Sequence, residues 1–119
     1  MATDRFITDD FWDYRIDIVL DDEITDYLNG LDICEDVREY MLGQEWGESV
    51  YGRSIVLPDG SMFIWLADGC SAGTLAHEAF HSARHILHNV QGIPLTDDTE
   101  EVYARMIGSI VSKITDKMN

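Results

Sequence analysis

The sequence predicts an α+β fold in a single domain, residues 1–119. Two apolar segments of β type flank a Pro-Asp-Gly turn in the middle of the chain, and two segments with helical periodicity follow them. With 119 residues, of which 45% are hydrophobic, the chain is long enough for one buried core and too short for two. We therefore expect a small antiparallel or mixed sheet with a β-hairpin, against which the two helices pack.

The part of the chain before the hairpin predicts one strand and two short helices. Residues 1–12 are expected to form an irregular acidic lead-in, and the alternation of apolar and polar side chains in residues 14–20 predicts the opening strand. A short helix is expected to end at Gly30. A second helix is expected at residues 34–44, and its apolar side comprises Val37, Tyr40 and Met41.

The hairpin gives the clearest β signal in the chain. Residues 50–57 and 61–67 flank a turn at residues 58–60, in which the proline presets φ and the glycine tolerates a positive φ. The second segment is almost entirely apolar. This composition predicts a strand that is central in the sheet or covered on both faces.

Two longer helices complete the predicted fold. Ser71 or Thr74 can cap the first, which should run to about Asn89. Asp97 and Glu100 have the spacing of a capping box at the start of the second. The apolar stripe of this last helix comprises Tyr103, Ala104, Ile107, Ile110, Val111 and Ile114.

The first of these helices carries the residues that indicate a function. His77, Glu78 and His81 form a His-Glu-x-x-His pattern with the two histidines four residues apart. On an α-helix such residues lie about 6 Å apart on one face, so both rings can reach one tetrahedral Zn²⁺ at about 2.0–2.1 Å. Glu78 could then accept a proton from a water whose pKa the cation lowers. The pattern predicts a zinc hydrolase with His77 and His81 as metal ligands and Glu78 as the catalytic base.

Helical periodicity places these histidines on one polar face. His77, His81, His85 and His88 fall within an arc of about 80°. The opposite face is apolar and comprises Leu75, Ala76, Ala79, Phe80, Ala83, Ile86, Leu87 and Val90. A helix of this kind can bury one face and present metal ligands on the other. The alternative interpretation is a solvated polar face that happens to be rich in histidine.

A catalytic zinc site normally has a third protein ligand. His85 and His88 lie too far along the helix axis from His77 to bind the same ion. The candidates that remain are two carboxylates at the start of the last helix, Glu100 and Glu101. Either one, from a helix packed against the first, would complete a site of two histidines and one glutamate.

Two arguments favour Glu101 as this third ligand. A capping box with Asp97 would occupy the carboxylate of Glu100. Glu101 also shares a side of the helix with Ala104 and Gly108, whose small size would allow close approach of the two helices. The facing argument does not separate the two glutamates cleanly, so the choice stays open.

The histidine motif and the segment after it resemble a known family. His77 to His81, followed by Glu101-Val102-Tyr103-Ala104, resembles the motif and the downstream Glu-x-x-Ala of gluzincin-type metallopeptidases, such as aminopeptidase N-like and ImmA/IrrE-type enzymes. The chain is similar also to short proteins of bacteriophage genomes that are classed as metallopeptidases. The resemblance covers roughly residues 50–115. It implies a minimal zincin-like fold, a Zn²⁺ cofactor and hydrolysis of a peptide or protein substrate.

The resemblance has two further implications. In that family an extended peptide binds along the strand before the motif helix, which here would be an edge strand at residues 61–67. In larger members, a tyrosine, histidine or arginine of a C-terminal subdomain stabilises the oxyanion. The candidates for that role here are Tyr103, Arg105, His85 and His88.

The charge of the chain is extreme and unevenly placed, with a formal net value of -15. Residues 1–48 carry fifteen Asp and Glu against three Arg, a balance of -12, whereas residues 49–119 carry eight against five, a balance of -3. Such a surface repels nucleic acid and favours solubility. It also indicates an alternative function: an acidic protein-interaction module or phage-encoded inhibitor that binds a basic partner and has a structural or vestigial zinc site.

Two other features concern the cellular compartment. No apolar run approaches the roughly 18 to 20 residues of a membrane-spanning helix, and residues 1–5 lack a secretion signal, so we expect a cytoplasmic protein without membrane contact. Cys34 and Cys70 are expected to be reduced, with Cys70 serving as a small buried hydrophobic residue.

Overall fold

The computed structural model describes residues 6–8, 14–47 and 49–118, which form an α+β fold. Its sheet contains β1 (Phe6–Thr8), β2 (Arg15–Leu20), β3 (Gly52–Val56) and β4 (Met62–Leu66), in the order β1-β2-β4-β3. β2 and β4 are parallel, whereas the pairs β1-β2 and β3-β4 are antiparallel. The predicted class, α+β with a small mixed sheet, is confirmed.

The prediction of an irregular lead-in is wrong at Phe6–Thr8, where the chain forms β1. Ile7 lies opposite Ile16, so β2 is the second strand and not the opening one. Three residues are too few to show the alternation that marks a strand in sequence. The rest of residues 1–12 lies outside the described part of the chain.

Helices cover both faces of the sheet. In the described residues these are α1 (Glu23–Asn29), α2 (Glu35–Leu42), α3 (Ala72–Arg84) and α4 (Glu100–Met118), and α3 continues as a π-helical segment (His85–Val90). The core on the α1 and α2 side includes Phe63 and Trp65, and the core on the α3 and α4 side includes Ile64 and Leu66. Every residue of β4 is buried. Both predicted alternatives for this strand are confirmed, because it is central and is covered on both faces.

The hairpin of β3 and β4 forms where the sequence predicts it. Gly60 has a φ of 90°, and the amide of Leu57 donates to the carbonyl of Ser61 at 2.7 Å. The expected edge strand at residues 61–67 is wrong, however, because β4 pairs with β2 as well as with β3. The edge is therefore β3. The apolar composition of β4 already predicted a central strand, whereas its parallel partner β2 is distant in sequence and leaves no local pattern that identifies it.

The predicted ends of the last two helices agree with the structure at the start of α3 and differ at the start of α4. Ser71 caps α3, and its hydroxyl accepts from the amide of Thr74 at 3.1 Å. The predicted capping box at Asp97 is wrong, since α4 begins at Glu100. The preceding turn is held by Thr99, whose hydroxyl donates to the carbonyl of Pro94 at 2.6 Å.

Some positions that the sequence predicts on the apolar side of a helix are exposed in the structure. Tyr40 is 71% exposed, and Met41 is the buried residue of α2. In α4 the buried residues are Tyr103, Met106, Ile110 and Ile114, whereas Ala104 is exposed. Periodicity alone does not fix where an apolar stripe is centred, and the packing of each helix decides it.

Cys34 is exposed and Cys70 is partly buried, and both are free thiols. Burial raises the pKa of the Cys70 thiol, and its side chain packs against the α3 and α4 core. Among the described helices, none has the length and apolar character that crossing a bilayer requires.

Candidate metal centre

His77 and His81 lie together on the exposed face of α3. Their Nε2 atoms are 3.1 Å apart, and the two rings are nearly perpendicular, with an interplanar angle of 80°. Two nitrogens that share a tetrahedral Zn²⁺ at about 2.0–2.1 Å would be separated by about 3.3 Å. The same distance suits a hydrogen bond between a ring N–H and a ring lone pair. The Nε2–Nε2 distance in this histidine pair is therefore close to the distance between two ligands of one zinc ion.

Glu78 occupies a different environment from the two histidines, because its side chain is only 5% exposed. Its Oε1 accepts a hydrogen bond from the hydroxyl of Ser54 at 2.6 Å. Ser54 lies on β3, opposite Ile64 of the neighbouring strand. The carboxylate of Glu78 is thus held at the edge of the sheet by the side chain of Ser54.

Gly52, also on β3, lets the strand approach α3 closely. A Cβ atom at this position would lie 2.8 Å from Cγ2 of Thr74, 3.0 Å from Cγ of Glu78 and 3.2 Å from its Oε2. A cleft of about 300 Å³ opens here, and its lining includes Tyr51, Thr74, His77 and Glu78. The absence of a side chain at Gly52 leaves the space in which Oε2 of Glu78 lies.

A second depression, of about 250 Å³, lies further along α3. Its lining includes Ser54 and Val56 of β3 together with His81, Arg84 and His85. Ser54 reaches Glu78, which lines the first cleft, so the two depressions adjoin along the same strand. The two histidines are exposed, and His77 lines the first depression whereas His81 lines the second.

His85 and His88 lie in the π-helical segment and join a hydrogen-bonded network. Nε2 of His85 is 3.1 Å from the hydroxyl of Tyr14, which donates to the carbonyl of Gly60 at 2.5 Å. Asn89 links the two histidines, at 3.0 Å from Nδ1 of His88 and 3.4 Å from Nδ1 of His85. Burial, with a smaller contribution from the Asp59 carboxylate, raises the pKa of Tyr14. Of these two histidines, His85 lines the same depression as His81.

The other two oxyanion candidates have structural contacts. Tyr103 is buried in the core, and its hydroxyl donates to the carbonyl of Ile93 at 2.6 Å. Arg105 is exposed, and its Nε lies 3.4 Å from Oε2 of Glu101. Neither side chain lines the described clefts.

The predicted third ligand, Glu101, is not brought to the histidine pair. Its side chain is 77% exposed and forms the ion pair with Arg105. Across residues 6–8, 14–47 and 49–118, no three His, Cys, Asp or Glu side chains are grouped so as to hold a metal ion. The structure thus assembles two of the three predicted ligands, and the role of Glu101 stays a prediction.

Both arguments that favoured Glu101 over Glu100 are wrong. Ala104 is exposed, and a Cβ atom at Gly108 would meet nothing within 4 Å, so these small residues do not mark a close approach of helices. Glu100 is not used in a capping box, because the helix begins at Glu100 itself. The centre of the buried stripe of α4 is about 80° from Glu100 and about 180° from Glu101.

Sequence reasoning missed Ser54 and Gly52. A glycine inside a segment of strand pattern can mark a place where another chain segment approaches closely, and Gly52 carried that signal. Ser54 gave a weaker one, as a hydroxyl in a segment that is otherwise largely apolar. Its partner, Glu78, could be found only from the fold.

Comparisons with known proteins gave no relatives: no protein-family model, no curated protein and no solved structure matches this chain.

Proposed function

We propose that this chain is a zinc-dependent hydrolase of peptide bonds, with a minimal zincin-like arrangement of strand edge and motif helix, in the cytoplasm. The observation that carries the proposal is the 3.1 Å separation of Nε2 of His77 and Nε2 of His81. Glu78, the residue between them in the motif, lines the same cleft as His77. The two proposed ligands and the proposed base are thus close together on α3, beside β3 at the edge of the sheet.

Each residue has a distinct role in this proposal. His77 and His81 hold Zn²⁺, and Glu101 completes the ligand set, with Glu100 as the alternative. The bound ion would polarise the scissile carbonyl and lower the pKa of a water molecule. Glu78 is placed to accept a proton from such a water and would return it to the leaving amine. A carboxylate that is 5% exposed is shielded from bulk water, which favours proton transfer within the cleft.

Zinc titration of the purified, metal-free protein tests the histidine pair. Isothermal titration calorimetry should give a stoichiometry of about one Zn²⁺ for the wild type and no binding for His77→Ala or His81→Ala. His88→Ala is the matched control, because His88 is an exposed histidine that contacts Asn89 and not the pair. Equal zinc binding by the wild type and both pair variants would refute the assignment.

Cleavage of quenched-fluorescent peptides from a library of mixed sequence tests the reaction. Glu78→Gln should retain zinc and lose about 100-fold or more in rate, because the amide cannot accept the proton. Unchanged cleavage by Glu78→Gln would remove Glu78 from the mechanism. Glu100→Gln and Glu101→Gln, measured for zinc affinity, identify the carboxylate ligand.

A second candidate function is supported by the surface of α1 and α2. Exposed acidic residues cover these helices, among them Asp22, Asp26, Asp36 and Glu39. Arg38 pairs with Glu35 at 3.5 Å and donates to the backbone carbonyls of Leu28, Leu31 and Ile33, so the charge that remains exposed on these helices is acidic. An acidic interaction module would bind a basic protein with strong salt dependence, and this binding would survive chelation and His77→Ala. Loss of partner binding with His77→Ala would argue against it.

A further inference from the structure

Among the described residues Glu78 is the only buried carboxylate, and its hydrogen-bond partner is Ser54. Oε1 accepts from Ser54 at 2.6 Å, a short distance that is typical of a hydrogen bond to a charged acceptor. Oε2 lies beside the space left by Gly52 and accepts no hydrogen bond within the described residues. One oxygen is therefore anchored, and the other faces the cleft.

Two serines form hydrogen bonds to Glu78, one to its backbone and one to its carboxylate. The hydroxyl of Ser82, one turn further along α3, donates to the backbone carbonyl of Glu78 at 3.0 Å. The hydroxyl of Ser54 is 3.2 Å from that carbonyl and 2.6 Å from Oε1. A hydroxyl has one proton to donate, and the hydroxyl of Ser82 already donates to the backbone carbonyl of Glu78. The proton of Ser54 is thus available to the carboxylate.

Ser54 is held by the sheet and not by the helix that it contacts. It lies in the middle of β3, paired with Ile64, which is fully buried in the central strand. A residue on a strand with this support has little freedom to follow a moving side chain. The position of the Glu78 carboxylate is therefore set by the sheet edge.

We propose that Ser54 is a positioning residue, which orients the Glu78 carboxylate so that Oε2 faces the reacting water. The inference rests on the proposed hydrolase function. Within the described residues Ser54 forms no hydrogen bond to either histidine of the pair, so its effect is expected on the chemical step and not on metal binding. If Ser54 only stabilised the fold, its substitution would not change the rate of the chemical step while leaving metal binding intact.

Steady-state kinetics on the holoenzyme test the inference. The probe is the quenched-fluorescent peptide that the wild type cleaves fastest from the mixed library. Ser54→Ala should lower kcat by about 10- to 100-fold with KM and zinc content unchanged, the range expected when a hydrogen bond to a charged group is lost. Ser54→Thr, which keeps the hydroxyl on a β-branched side chain, should restore kcat to within about threefold of the wild type.

Ser82→Ala is the matched control, because it removes a buried hydroxyl that contacts Glu78 only at the backbone. Its kcat should stay within about twofold of the wild type. A Ser54→Ala enzyme with wild-type kcat would overturn the inference, as would an equal loss in Ser82→Ala. If Ser54→Ala does not fold, Ser54→Cys provides the same comparison with a weak donor of similar size, and wild-type kcat there would also overturn it.

These outcomes are distinct from failure of the proposed function. That failure is a wild type that binds no Zn²⁺, or a Glu78→Gln variant that cleaves as fast as the wild type. Failure of the inference requires an active, zinc-loaded wild type that depends on Glu78 and is indifferent to Ser54. The zinc titration and the Glu78→Gln control in the same assay separate the two.

Discussion

Substitution of Gly52 by alanine is a direct test of the contact between β3 and α3. The added Cβ would lie 2.8 Å from Cγ2 of Thr74, so the threonine would have to retreat by about 0.6 Å to reach ordinary contact at 3.4 Å. Thr74 cannot rotate freely, because its hydroxyl lies 3.2 Å from that of Ser71 at the helix cap. Glu78 is the second neighbour, with Cγ at 3.0 Å.

The expected cost follows from these contacts. Overpacking by one methyl group destabilises a well-packed site by about 1–3 kcal/mol. The loss of glycine from the unfolded chain offsets about 0.4–1 kcal/mol of that. The net change in the free energy of unfolding for Gly52→Ala is therefore a loss of about 1–2 kcal/mol. For 119 residues this corresponds to a fall in Tm of about 4–8 °C.

Thermal denaturation by circular dichroism measures this change, and Gly108→Ala is the matched control. A Cβ atom at Gly108 would meet nothing within 4 Å, and alanine is the better helix former, so this variant should gain about 0.5–1 kcal/mol. Adding Thr74→Ser to Gly52→Ala removes the shortest contact and should recover part of the loss. A Gly52→Ala protein that is as stable as Gly108→Ala would refute the reasoning.

Three further predictions concern stability. Ser71→Ala removes the cap of α3 and should lower the unfolding free energy by about 1 kcal/mol in urea denaturation, with an unchanged m-value. Arg38→Lys, which cannot form the forked contacts to the carbonyls of Leu28, Leu31 and Ile33, should cost about 2 kcal/mol, and a loss under about 0.5 kcal/mol would contradict it. Burial and the hydrogen bond to Asp17 raise the pKa of Tyr27 far above its usual 10.0, so the stability from neutral Tyr27 is full below pH 10 and falls as the pH rises further. Tyr27→Phe should therefore flatten the decline of unfolding free energy above pH 10, and an identical decline in both proteins would contradict this.

The elements of the fold could be predicted from the sequence where their signals are local. The turn at residues 58–60 and the helical periodicity after Ser71 are local patterns. The turn is confirmed, and the apolar face of the helix is confirmed in part, because its predicted members Ala76, Phe80 and Val90 are exposed. The sheet order could not be predicted in the same way. The pairing of β2 with β4 joins residues 46 positions apart, as in Ile16 with Met62, and depends on which apolar surfaces meet in the folded chain.

In the candidate site, too, the contacts within one helical turn could be predicted from the sequence and the contacts between distant segments could not. The approach of His77 to His81 follows from helical spacing, which fixes the geometry within one turn. The contact of Ser54 with Glu78 joins residues 24 positions apart and arises only when the edge strand packs on α3. Local spacing thus predicts the ligand pair, and tertiary packing supplies the environment of the base.

The third ligand shows the limit of such reasoning most clearly. The sequence does not determine which side of α4 faces the histidine motif of α3. The choice between Glu100 and Glu101 therefore depends on where the buried stripe of α4 is centred. The sequence pattern includes Ala104 in the apolar stripe and omits Met106, whereas in the structure Ala104 is exposed and Met106 is buried. The observed stripe is centred about 80° from Glu100 and about 180° from Glu101, so both glutamates lie about 50° further from the core side than the predicted stripe implied. Zinc affinity of Glu100→Gln against Glu101→Gln therefore tests the orientation of α4 as well as the ligand set, because a ligand at Glu101 requires its carboxylate to leave Arg105.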